Sequence, residues 1–287
     1  MGSGDYSLSA RASSGRDAFY KAAPASEIFK EKTINTAMNP SGVKLRESRD
    51  SKEHPTSLAI VLALDVTGSM GSIPHFLVKE GLPHVMEDII KSGIKDPQVL
   101  FLGIGDHECD SFPLQVSQFE SSDELLDKWL TTIYLEGGGG GNEGESYPLA
   151  WYFAGKHTSI DCWEKRKEKG FLFTIGDEPY LRSVPKTKLH EIMGDGQYSD
   201  MDARVLLDKA KETYNVFHIL IRETSAGSRD VTINSWKQLL GDNVLVAQSH
   251  TQVHNIIAET IKKYAKMSSG EKIAHAGPGV DAHENIL

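Results

Sequence analysis

Hydrophobic and polar positions along the chain switch between two periods. Leu58 to Leu64 is an unbroken apolar run of strand length, the pattern of a strand covered on both faces. Gln98–Ile104, Gly170–Ile175, Asn215–Ile221 and the shorter Asn243–Ala247 repeat it. Pro113 to Phe119 alternates instead and reads as an antiparallel edge strand joined to its predecessor by a turn. Between these runs the spacing becomes helical. Helices are expected over Ser72 to about Lys91, Asp123–Ile133, from near Tyr147 onward, Pro185–Met193, Asp200–Tyr214, Ile233–Leu240 and Thr251–Met267.

Strands that alternate with helices imply an α/β fold. The sequence predicts a doubly wound, Rossmann-like, mostly parallel sheet with one antiparallel edge strand and helices on both faces. Right-handed crossovers would bring the first and fourth strands side by side. Residues 1–53 are polar with scattered apolar positions and read as an arm, in part disordered or wrapped on the main domain. Residues 54–267 hold the α/β domain, and 268–287 read as a flexible tail.

Composition narrows the function classes. The formal net charge of −9 leaves no basic face for nucleic acid. No apolar stretch approaches the ~20 residues of a membrane span, and the first residues lack the apolar core of a secretory signal. Cys109 and Cys162 stand far apart without metal-ligand spacing, so two reduced thiols and a cytoplasmic location are expected.

The candidate chemistry sits where strands end. The run Leu58–Leu64 stops in Asp65, Thr67 and Ser69, with Gly68 and Gly71 interleaved. Ligands of open α/β sheets bind at the carboxyl ends of strands. One carboxylate and two hydroxyls suit a hard divalent cation such as Mg2+ better than zinc, although Asp65 and Ser69 would also serve as helix caps. Gly170–Ile175 likewise ends in Gly176 and Asp177, and the glycines 137–141 lead into Asn142, Glu143, Glu145 and Ser146. Adjacent first and fourth strands would put Asp65 and Asp177 at one end of the sheet, with the glycine loop arching over them.

Asp65-Val66-Thr67-Gly68-Ser69, following an apolar strand, resembles the metal-ion-dependent adhesion site of von Willebrand factor A domains, of a divergent prokaryotic type. The order of elements from Ser57 to about Met267 resembles that family as well. The resemblance implies a non-enzymatic adaptor that holds Mg2+ (or Mn2+/Ca2+) and captures an Asp or Glu of a protein partner. Family analogy makes that partner an ATPase or kinase. It also implies a metal set of Asp65, Thr67, Ser69 and Asp177. The loop departs from the family pattern because no Thr lies among Gly137 to Ser146. Asn142 takes that ligand position here, with Glu145 accepting from water or backbone beside it, and Glu143 and Ser146 competing for the place.

Other readings of the same motif are open. Ser69 on an elbow would make a serine hydrolase, but Thr67 stands where that motif needs glycine. Asp65 as nucleophile would make a Mg2+-dependent phosphotransferase, but Thr67 replaces its second acid. The turn Asp106-His107-Glu108-Cys109-Asp110 has the make-up of a ligand cluster but reads more simply as a solvated hairpin, with Asp106 as a supporting acid for the metal. His218 reads as a satisfied core histidine, and Trp151, Tyr152 and Phe153 as helix packing.

Overall fold

A computed structural model describes residues 5–70, 72–136, 142 and 144–275, without the side chains of residues 69 and 265–275. The main sheet has six strands: β1 (Ser57–Asp65), β2 (Asp96–Ile104), β3 (Leu114–Val116), β4 (Gly170–Gly176), β5 (Tyr214–Ile221) and β6 (Val244–Ala247). Their order is β6-β5-β4-β1-β2-β3. All neighbours pair in parallel except β3, which runs antiparallel along β2. The chain is thus a mixed α/β protein with a mostly parallel sheet, as the apolar runs predict.

Every residue of β1 and β2 is buried. A central parallel strand is covered on both faces, which is why its sequence is apolar without alternation. Each large aliphatic side chain removed from water there contributes about 1.5–3 kcal/mol. β2 lies on one side of β1 and β4 on the other, so the strand order reverses at β1. Reversal leaves a crevice at the carboxyl ends of β1 and β4, because the loops leaving them diverge. Asp65 ends β1 and Asp177 follows β4, so both acids reach that crevice.

Helices in chain order are α1 (Leu8–Ser13), α2 (Arg16–Ala22), α3 (Ala25–Ile28), α4 (Ser72–Phe76), α5 (Leu82–Lys91) and α6 (Asp123–Thr131). They continue with α7 (Pro148–Lys156), α8 (Asp161–Glu164), α9 (Lys186–Met193), α10 (Ala203–Lys211), α11 (Asp230–Leu240) and α12 (Val253–His275). The single helix expected over Ser72–Lys91 is interrupted by a π turn, Leu77–Gly81. Pro83 is the physical reason. It has no N–H to give and its ring crowds the preceding turn, so the helix widens there. In this register Leu77 O accepts from Leu82 N, and the next carbonyl, Val78 O, faces Pro83 and finds no donor in its own helix.

The arm supplies that donor. Arg11 of α1 donates from Nη2 to Val78 O and from Nε to Asp127 of α6. Its side chain is only 1% exposed, as is that of Asp127. Arg16 also pairs with Asp127 and Asp123, and Tyr20, Ile28 and Phe29 join the core. Further along, Arg46–Ser48 pairs in parallel with Thr158–Ile160, a ladder too short to announce itself in the sequence. Among the described residues no helix is long and apolar enough to cross a membrane.

Candidate functional site

Asp65 is held by its own turn. Its Oδ1 accepts from Thr67 N at 3.0 Å and from Thr67 Oγ1 at 2.6 Å. Its Oδ2 accepts from the hydroxyl of Tyr147, 2.8 Å away, at the start of α7. A Cβ at Gly176 would lie 1.8 Å from that hydroxyl and 2.9 Å from Asp65 Oδ2. Only glycine on β4 leaves room for the phenol to reach across to β1. Burial, and then the charge of Asp177, push the Asp65 carboxyl up to about 7, although Thr67 and Tyr147 oppose the rise.

The segment before α7 ties the two sides of the crevice together. Ser146 N donates to Gly105 O beyond β2, and Glu145 N to Pro179 O beyond β4. Leu181 N returns a bond to Glu145 O. Ser146 Oγ accepts from His107 N at 2.8 Å and lies 2.7 Å from His107 Nδ1. Ser146 is fully buried, so this pair is a clip between loops, and burial lowers the affinity of His107 for a proton.

Two carboxylate oxygens in this assembly lack any hydrogen bond. Glu145 Oε2 and Asp106 Oδ2 are both buried without a partner. Burial first, then the charges of Asp65 and Asp106, push the Glu145 carboxyl up to about 10. Buried polar atoms ordinarily find partners, so the two oxygens mark a place where positive charge or protons belong.

The sequence-derived set is brought together only in part. Asp65, Thr67, Asp106, Glu145 and Asp177 are buried at the strand ends, and Ser146 stands behind them. Asn142 turns away and donates to Glu108 Oε2 at 2.7 Å. The side chain of Ser69, and all of Glu143, lie outside the described residues. Tyr147 was read only as the start of a helix, and His107 only as part of a ligand-like turn given the simpler reading of a solvated hairpin. The signal for His107 existed, since Ile104 of β2 pairs with Asp65 of β1 and the next loop therefore ends at the same level. The turn read as a solvated hairpin instead buries Asp106 and His107 to 2% and 3% exposure.

This geometry corrects the expected metal-ion-dependent adhesion site and its metal-binding role. Both oxygens of Asp65 are already engaged, by Thr67 and Tyr147, and Asn142 serves Glu108. Among the described residues no group of three or more His, Cys, Asp or Glu side chains is placed to hold a metal ion. The same two bonds restrain the carboxylate that a phosphotransferase would need as nucleophile.

Removing the phenol oxygen tests its part in the site. Tyr147→Phe leaves a buried carboxylate oxygen without its donor and is expected to cost about 1–3 kcal/mol. Urea melts at neutral pH measure it, and an unchanged midpoint would show that the bond contributes nothing.

No family model matches the chain, and no curated protein sequence matches it. Solved structures do. The pilus adhesin SpaC of Lactobacillus rhamnosus GG, in its open conformation, shares 12% identity over 76% of this chain, with a TM-score of 0.48. The chain spans 31% of that adhesin's length. The adhesive tip pilin GBS104 of Group B Streptococcus agalactiae shares 10% identity over 74% of this chain and 100% of its own, at a TM-score of 0.41. Proximal thread matrix protein 1 of the mussel byssus shares 10% over 71% of this chain and 47% of its own, also at 0.41.

Likenesses this distant carry no argument about activity. They do correct the family expectation: the matching structures are titled as pilus adhesins, a tip pilin and a thread matrix protein, and no model of the von Willebrand factor A family matches. The metal-dependent adaptor role implied by that resemblance goes with it. The expected cytoplasmic location is withdrawn as well, since these matching structures are of pilus proteins.

Proposed function

We propose that the chain is a non-enzymatic binding domain, built on a doubly wound sheet, whose strand-end crevice receives a cationic side chain from a protein partner. One observation carries this reading. Glu145 Oε2 and Asp106 Oδ2 are buried without hydrogen bonds, in a crevice they share with Asp65 and Asp177. A lysine ammonium or arginine guanidinium would donate to the orphaned oxygens and offset the mutual repulsion of the acids. The non-enzymatic part rests on Asp65, the candidate nucleophile, whose two oxygens are held by Thr67 and Tyr147. With a net charge of −9, a nucleic-acid partner is not part of the proposal.

The test titrates the full chain with acetyl-Gly-Arg-Gly-amide, its lysine counterpart and the uncharged citrulline analogue. Either cationic peptide is expected to bind saturably and to release a proton at neutral pH, because Glu145 must ionise to receive it. Glu145→Gln is expected to weaken binding at least about tenfold. Equal binding of the citrulline peptide would sink the proposal. Magnesium, the ion suited to oxygen donors, enters the same titration as the competing occupant. Binding of magnesium alone, lost in Asp65→Ala, would replace the cationic side chain as the ligand.

A further inference from the structure

At the opposite end of the sheet, where β1 and β2 begin, lies a cavity of about 400 Å3 that neither the strand-end site nor the comparisons involve. A volume of this size is that of an ordinary small-molecule pocket. Met86 and Ile90 of α5, with Pro97 of β2, make its apolar wall. Asp5, Glu53 and Asp96 bring three carboxylates to the lining, against one lysine, Lys95.

Three further lining groups point to a ligand: His54, Ser121 and Tyr6, whose hydroxyl is buried without a partner. His54 is only 2% exposed, and neither of its ring nitrogens has a hydrogen-bond partner. Its Nδ1 stands 3.6 Å from both Asp5 Oδ1 and Asp96 Oδ1, beyond hydrogen-bond reach. Ser121, 3% exposed, also has a hydroxyl without a partner. Asp96 Oδ2 is spoken for, since it accepts from Thr56 N and Thr56 Oγ1. The free capacity of the cavity is therefore a carboxylate oxygen, a buried imidazole and two buried hydroxyls, opposite an apolar wall.

We propose that this cavity binds a small organic ammonium with an apolar body. The cationic head sits among Asp5, Glu53 and Asp96 and donates to His54 or Ser121. The apolar body lies against Met86, Ile90 and Pro97. An anion would meet three carboxylates, and a purely apolar ligand would leave the imidazole and hydroxyls buried and unpaired.

Calorimetric titration of the full chain with phenethylammonium chloride, and with 2-phenylethanol as its uncharged counterpart, tests the proposal. Saturable binding of the ammonium is expected, at least about tenfold tighter than the alcohol. Ile90→Trp, at a position 38% exposed, extends a ring into the cavity and is expected to abolish binding. Glu53→Gln, at an exposed position, removes one lining charge and is expected to weaken binding about threefold to fivefold. Glu145→Gln at the other pole is expected to leave binding unchanged, which separates this cavity from the strand-end site. Equal affinity for the alcohol, no saturation to about 10 mM, or binding untouched by both Ile90→Trp and Glu53→Gln would each overturn it.

Discussion

Asp127→Ala is expected to lower the stability of the fold by about 3–5 kcal/mol. The carboxylate it removes is buried between Arg11 Nε and Arg16 Nη1. Arg11 would keep its place at Val78 O and would then be a buried guanidinium without its main counter-charge. Burial already holds the Asp127 carboxyl above its ordinary range, even with Arg11 beside it, so desolvation outweighs attraction in this pair. A second expectation follows from that balance. Arg11→Met combined with Asp127→Leu should recover most of the loss, because an apolar pair carries no desolvation cost. Urea melts of the two variants measure both numbers. A double variant no better than the single one would mean that Arg11 acts mainly through Val78 O.

Glu145→Gln is expected to stabilise the protein above neutral pH and to flatten its dependence on pH. The folded state holds the Glu145 carboxyl at about 10, above its ordinary 4.5. The folded chain therefore keeps a proton that the unfolded chain has lost. Stability is complete below the ordinary value and falls as pH climbs toward the folded one, by at most about 1.4 kcal/mol per unit. Between pH 5 and 8 the wild type should lose on the order of 2–4 kcal/mol from this group. Asp65, raised to about 7 from an ordinary 3.8, adds a loss in the lower part of that window. The glutamine variant should retain only the Asp65 part. Unfolding midpoints at pH 5 and 8 decide it, and equal slopes in both proteins would remove Glu145 from the account.

Both expectations rest on parts of the molecule that the sequence discloses unequally. The central strands were legible because burial on both faces forces an unbroken apolar run, as in Leu58–Leu64, and β3 because it alternates, although its polar Gln115 is buried too and bonds the backbone of Tyr134. Asp65 and Asp177 were legible for the same reason, as polar residues that break such runs. The π turn was not, since its cause is one proline inside an otherwise regular apolar spacing. Tyr147 was read as the start of a helix, because nothing local shows that its ring crosses above Gly176 to Asp65. Asn142 shows how a side chain can find another partner. Its chemistry fitted the ligand role, but its side chain was drawn to Glu108, an exposed neighbour on another loop. The arm reads as polar and weakly structured because its stabilising contacts lie on α5 and α6, far along the chain.

Arg11 and Asp127 are 116 residues apart. During synthesis at ~5–20 residues per second, the arginine is incorporated roughly 6 to 23 seconds before the aspartate. Helices of six and seven residues such as α1 and α2 do not persist alone in water over that interval. The arm, made before its partners, is thus among the last elements to take its place, and Val78 O stays open to water until it arrives. A nascent chain caught in that interval should be cut by protease within α1 to α3, while the same helices in the finished molecule should resist it.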